Sequence, residues 1–269
     1  MITVRTSDSA SLMIVMYMTS PSIYLDYCVI ANFAESPVLG NRFRDILFQT
    51  NGTICLSLVH LMEVSGLGLG PTYSEIKSFL CSLENKFVVL DFNPDAVIER
   101  ERAGNNFPAL EPELTKAIIE HWDGLSPLSF SILLNGLQKF PQFQSEWKQI
   151  QAKQKSAFKK MFDDARVEFK NNSSVKNNLL NSDCPDPRIH GTTEYVYCQL
   201  RRECIKTNDN FNPSDGPDFF HSVVAFSHTG FVVLDKKWAR RLRAIQVPTK
   251  CAKIFATNEY NLFFNAVTT

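Results

Sequence analysis

A chain of 269 residues is long enough for one large domain, or for one domain carrying a sizeable insertion. Lys+Arg and Asp+Glu both number 28, so the formal net charge is zero. That excludes a bulk electrostatic grip on nucleic acid and confines any phosphate contact to a local basic patch.

The run Leu12–Met18 is too short to span a bilayer, and Ile23 opens the fold almost at once, which argues against secretion. Residues before about Met16 are expected to be a poorly ordered extension. Ile23–Asp26 then reads as a buried strand, followed by one helix over Val29–Phe48 with an apolar stripe at Ile30, Phe33, Phe43, Ile46 and Leu47. Asn51-Gly52 is a turn signal, Thr53–Leu56 a second strand, and Ser57 a cap for a helix over Leu58–Leu67. Glycines 66, 68 and 70 with Pro71 end that helix. A further helix covers Tyr73–Leu83, and Lys86–Phe92 is a third strand.

From about Asn93 to Asn210 the strand signal disappears. Pro108, Pro112 and Pro127 punctuate short helices. Phe143, Trp147, Ile150, Phe158, Phe162, Ala165 and Phe169 recur at helical spacing, with Lys148, Lys153, Lys155, Lys159 and Lys160 between them. That pattern describes an amphipathic helix with a wet face. Residues 171–181 read as a loop or frayed end, and Glu194–Lys206 as a helix. The strand–helix alternation then returns: a helix over Asp218–Thr229 with Pro217 at its start, a strand Phe231–Leu234, a helix Lys236–Arg243 and a strand Ala252–Ala256. The expected fold class is α/β, a three-layer sandwich with a central, mostly parallel sheet interrupted by a helical insertion. Its divisions are an extension (1–21), a first part (22–95), the insertion (96–210) and a second part (211–269).

Four acidic residues stand out by position. Asp26 and Asp235 end apolar strands; Glu63 and Asp218 sit near the starts of helices. In a parallel α/β sheet, strand C-termini and helix N-termini share the edge where ligands bind. Carboxylates gathered there repel, each pair by about 4 kcal/mol at about 4 Å and an effective dielectric near 20. Such a cluster calls for protons or a divalent cation. The plainer readings are a turn for Asp26, a solvated helix residue for Glu63, a favourable helix-dipole position for Asp218 and a helix cap for Asp235. Holding all four requires four coincidences at one edge.

The seven cysteines form no CxxC pair, so zinc-ribbon spacing is absent, and several lie in apolar runs and read as buried thiols of a reducing, cytoplasmic compartment. No Walker loop, GxGxxG, GxSxG or HExxH occurs.

This order of residues (Leu25-Asp26, then Glu63, then Asp218 with His221 and Ala225, then Val232-Val-Leu-Asp235) resembles the PIN-domain nucleases over residues 22–92 and 213–257. The resemblance implies hydrolysis of RNA phosphodiester bonds at one or two Mg²⁺ or Mn²⁺ ions. Asp26 and Asp218 would be the principal ligands, Asp235 a ligand or the holder of a water, and Glu63 an orienting group. Lys236, Lys237 and Arg240, with His221, are the expected substrate contacts, although a histidine packed beside the site is the plainer reading of both His221 and His60. Single-stranded RNA is the implied partner, with an antitoxin or regulatory protein and a second copy of the chain as further ones; no membrane partner is expected. Two departures stand out: Tyr27-Cys28 replaces the usual small hydroxyl residues after the first acid, and Val233-Leu234 replaces the usual threonine before the last. They keep alive a catalytically inactive interaction or RNA-binding module. A haloacid-dehalogenase phosphatase also begins with a strand-end aspartate but needs a second aspartate two residues on, and Cys28 at that position argues against it.

Overall fold

The computed structural model describes residues 2–6, 12–66, 71–105, 128–138, 141–207, 211–212, 215–247 and 250–269. Strands β1 (Ile2–Thr6) and β2 (Leu12–Met16) form a two-stranded antiparallel ladder apart from the main sheet. The expectation of a disordered extension is therefore corrected: both segments are runs rich in residues that favour strands, and each satisfies the other's backbone.

The main sheet contains β3 (Ser22–Leu25), β4 (Thr53–Ser57), β5 (Phe87–Leu90), β6 (Phe231–Leu234) and β7 (Lys253–Ala256), in the order β5-β4-β3-β6-β7. Every pairing is parallel. The four strands predicted to be apolar are buried almost throughout, as a parallel sheet covered on both faces requires.

Helices α1 (Tyr27–Glu35) and α2 (Pro37–Gln49) replace the single helix expected there. Ser36 is extended, accepts a hydrogen bond from the Leu39 amide and precedes Pro37, so one helix ends and another starts within a residue. After β4 come α3 (Leu58–Gly66) and α4 (Pro71–Ser82); after β5 comes α5 (Pro94–Arg102). The described residues from there to 212 are helices and connections only: α6 (Phe130–Gln138), α7 (Pro141–Asn171), α8 (Ser173–Asn181), α9 (Pro187–His190) and α10 (Thr192–Lys206). Residues 173–181, expected as a loop or a frayed helix end, form a helix whose first turn is capped by the Asn172 side chain, which accepts from the Ser174 and Val175 amides. Helices α11 (Asp215–His228), α12 (Lys236–Ala244) and α13 (Tyr260–Thr268) complete the chain. Pro108, Pro112, Pro127, glycines 68 and 70 and the Pro213-Ser214 step lie outside the described residues, as do the side chains of Phe143, Trp147, Lys148, Ile150, Lys153 and Lys155.

The strand order runs outward in both directions from β3, so crossovers of the usual right hand place helices on opposite faces of the sheet. On one face Phe33 (α1), Phe43 (α2), Phe79 (α4), Phe263 and Phe264 (α13) form a ring cluster. On the other, Phe158 and Phe162 from the long α7 interlock with Phe211, Phe219 and Trp238. The helical stretch between the two halves of the sheet thus shares their core.

Candidate functional site

The chain runs outward from β3 to β4 and β5, then returns to the other side of β3 with β6 and β7. The switch of direction falls between β3 and β6, where Leu25 pairs with Val233. Beyond the carboxyl ends of two such strands lies a crevice, the usual ligand site of an open α/β sheet. Asp26 and Asp235 are the residues that follow Leu25 and Leu234 at that point.

Both are helix caps. The Asp26 backbone N–H donates to the Val233 carbonyl at 2.9 Å, while its carboxylate accepts from the Tyr27 amide at 2.8 Å and from the Cys28 thiol at 3.4 Å. The Asp235 carboxylate accepts from the Trp238 amide at 2.7 Å. The cap reading of Asp235 is therefore correct and Asp26, read as a turn residue, is a cap as well; both add to the site reading rather than replacing it. A cleft of ≈ 220 Å³ is lined by Asp26, Asp235, Glu63 from α3 and Asp218 from the first turn of α11, together with Tyr27, Cys28, His60 and His221. Four elements each contribute one acid to one crevice.

The charges oppose one another. Burial, then Asp26 and then Asp235 push the Asp218 carboxyl up to about 8. Burial, followed by Asp235, raises Asp26, although the Cys28 thiol and nearby amides pull it back. Among the described residues none of Asp26, Asp218 and Asp235 forms an ion pair. Asp91 supplies the contrast. It ends β5 just as Asp26 ends β3, and sequence reasoning passed over it, yet its carboxylate accepts from Arg100 and the Asn93 amide, both at 2.9 Å. It does not line the cleft. A strand-end aspartate with its own arginine is settled; those of the cleft are not.

The basic residues divide differently from the expectation. Lys236 and Arg240 are exposed one turn apart on α12, and neither lines the cleft. Lys237 turns to Asp215, with two contacts of 2.7 Å. Arg241 is buried over Trp238 and Phe211, and Arg243 pairs with Glu259. His221 does line the cleft but is nearly buried, as the packed reading held.

Beside the acids lie three buried, uncharged groups. The Tyr24 hydroxyl is 3.1 Å from His221 Nδ1, and the His221 ring stacks on His60 with centroids 5.3 Å apart. His60 Nδ1 is 2.8 Å from the Ser57 hydroxyl. Burial lowers His60 to about 4 and His221 well below the ordinary imidazole range, and raises Tyr24 well above the ordinary phenol range.

Oxygen donors with excess negative charge suit a hard divalent cation. Among the described residues no group of three or more His, Cys, Asp and Glu is arranged to hold a metal ion by itself. Mg²⁺ is commonly held by one or two carboxylates and keeps several waters, so in donor chemistry and charge the cleft fits such an ion.

No family model matches the chain, and neither the curated proteins nor the solved structures contain a match to it. No helix among the described residues is long and apolar enough to cross a membrane.

Proposed function

We propose that this cleft is the active site of a divalent-cation-dependent ribonuclease, similar in plan to the PIN-domain nucleases. One observation carries the reading: four carboxylates from four separate elements line a crevice at the switch point of a parallel sheet, and the three aspartates have no cationic partner among the described residues. Asp26 and Asp218 would be the principal ligands of Mg²⁺ or Mn²⁺, Asp235 would ligate it or hold a water, and Glu63 would be an orienting group. A bound divalent cation supplies Lewis acidity there, making water nucleophilic at neutral pH and neutralising charge on the phosphoryl oxygens. The cap hydrogen bonds from Tyr27 and Trp238 fix Asp26 and Asp235 before substrate arrives. Lys236 and Arg240 on α12 offer the adjoining strip for the RNA backbone, which suits a protein without net charge.

A competing reading, an inactive interaction or RNA-binding module, draws support from the lack of a ready three-residue ligand group among the described residues. A pooled single-stranded RNA cleavage assay with Mg²⁺, Mn²⁺ or EDTA separates the two. Cleavage by the parent that needs the cation and is lost in Asp26→Asn is expected. Cleavage by neither protein selects the inactive module, and equal cleavage by both defeats the assignment of Asp26.

A further inference from the structure

Tyr24, His60 and His221 come from the same three elements as three of the cleft acids. Tyr24 is two residues before Asp26 in β3, His60 is three before Glu63 in α3, and His221 is three after Asp218 in α11. All three are buried, and they meet. Tyr24 bonds to His221 Nδ1 at 3.1 Å, its ring lies edge-on to His60 at 5.4 Å and to His221 at 6.1 Å, and the two imidazoles stack at 5.3 Å. Phe92 closes the cluster against Tyr24 and His221 at 5.3 and 5.1 Å. His60 is held in turn by the Ser57 hydroxyl and the Leu25 backbone.

A purely apolar floor would pack at least as well. Three polar side chains in a fully buried place cost free energy unless their hydrogen bonds are made, and a made bond has a direction and a length. Spacing of three along a helix places His60 and Glu63 on one face of α3, and Asp218 and His221 on one face of α11. The hydrogen bond and the stack therefore fix the register of α3 and α11 against the end of β3. We propose that Tyr24, His60 and His221 are positioning residues, a neutral strut that sets the separation of Asp26, Glu63 and Asp218 and so the cation affinity of the cleft. The proposal rests on the reading of the cleft as a cation site. Groups that orient ligands in this way commonly contribute 10–100-fold to metal affinity when removed.

The test uses the full-length protein and Mn²⁺ alone, with the free ion followed by its paramagnetic resonance signal and stability by urea unfolding. Tyr24→Phe keeps the ring and deletes the hydroxyl. His221→Asn keeps an acceptor near the position of Nδ1, and His221→Leu removes it. The expected result is Mn²⁺ affinity weakened about ten-fold in Tyr24→Phe and His221→Leu and largely restored in His221→Asn, at a fraction folded equal to the parent. Asp26→Asn and Asp218→Asn serve as references. If they weaken Mn²⁺ binding while Tyr24→Phe and His221→Leu bind like the folded parent, the strut is overturned and the cation site stands. If Asp26→Asn and Asp218→Asn bind Mn²⁺ as the parent does, the cation site itself falls, and the strut with it. Should His221→Leu fail to fold, Tyr24→Phe, which removes one atom, decides alone.

Discussion

The acid–base state of Asp218 is the most consequential property of any single residue. Its ordinary carboxyl value is near 4, and burial with neighbouring acids moves it to about 8 in the folded chain. The folded state therefore holds a proton between about pH 4 and 8 that the unfolded chain has released. Stability then falls as pH rises through that window, the reverse of a salt-bridged carboxylate. Asp26, raised in the same direction, adds to the slope. A divalent cation bound as proposed would take the place of the missing protons, and would stabilise most where the carboxyls are ionised. Thermal unfolding with and without Mg²⁺ should show a larger rise in Tm at pH 8 than at pH 5. An equal rise at both values would mean that the ion binds elsewhere. Cys28 belongs to the same balance: its thiol, pushed well above the ordinary thiol range by burial and the neighbouring acids, stays protonated and donates to Asp26 where the resembling family places a hydroxyl.

At the scale of elements, the join between α5, α10 and α11 is as exacting as the site. Glu101 is buried and accepts from the Thr193 amide at 3.1 Å and the Thr193 hydroxyl at 3.0 Å, while His228 Nε2 lies 3.2 Å away. Gly191 starts α10 at φ 93, and a Cβ there would come within 2.3 Å of the Glu101 carboxylate. Gly191→Ala should cost about 2–6 kcal/mol, adding about 1–3 for the backbone to about 1–3 for the clash. A urea midpoint lowered without a change of slope would show this; a midpoint like the parent's would mean that the turn relaxes freely. None of this join was visible in the sequence, since Glu101, Gly191 and Thr193 are brought together only by folding. What was legible had strong local signals. The four strand positions β3 to β6 announce themselves as short apolar runs, and Asp26 and Asp235 as the polar residues that end them. The break at Ser36-Pro37 was missed because the apolar stripe continues across it. Helix α8 was missed because its asparagines read as polar loop, although one of them is the cap. Lys237 was misplaced because its partner, Asp215, lies 22 residues earlier, and a basic run does not tell which of its members are already paired.

For the molecule as a whole, the helical stretch between β5 and α11 is too tightly joined to behave as an appended module. Phe158 and Phe162 of α7 contact Phe211 and Phe219 at ring separations of 4.8–6.1 Å, and Phe158 also packs on Gly216 in the first turn of α11. That turn carries Asp218. A cavity opened in this cluster is therefore shared by the helical stretch and the sheet that bears the acids. Phe162→Ala should remove about 3–5 kcal/mol. If the core is one cooperative unit, the loss appears as a single shifted transition, with far-ultraviolet ellipticity and tryptophan fluorescence coincident along the urea axis. With Trp122 and Trp147 replaced by phenylalanine, Trp238 alone reports on the sheet side, whereas most of the helical signal change from α7 and α10 reports on the stretch between. Two separated transitions, with Trp238 unfolding at the parent's midpoint, would instead mark the stretch as an independent unit. In the single-transition case, if Tyr24 and His221 rather than the aromatic cluster set the register of Asp218 as proposed, the variant should weaken Mn²⁺ binding only in proportion to the fraction unfolded.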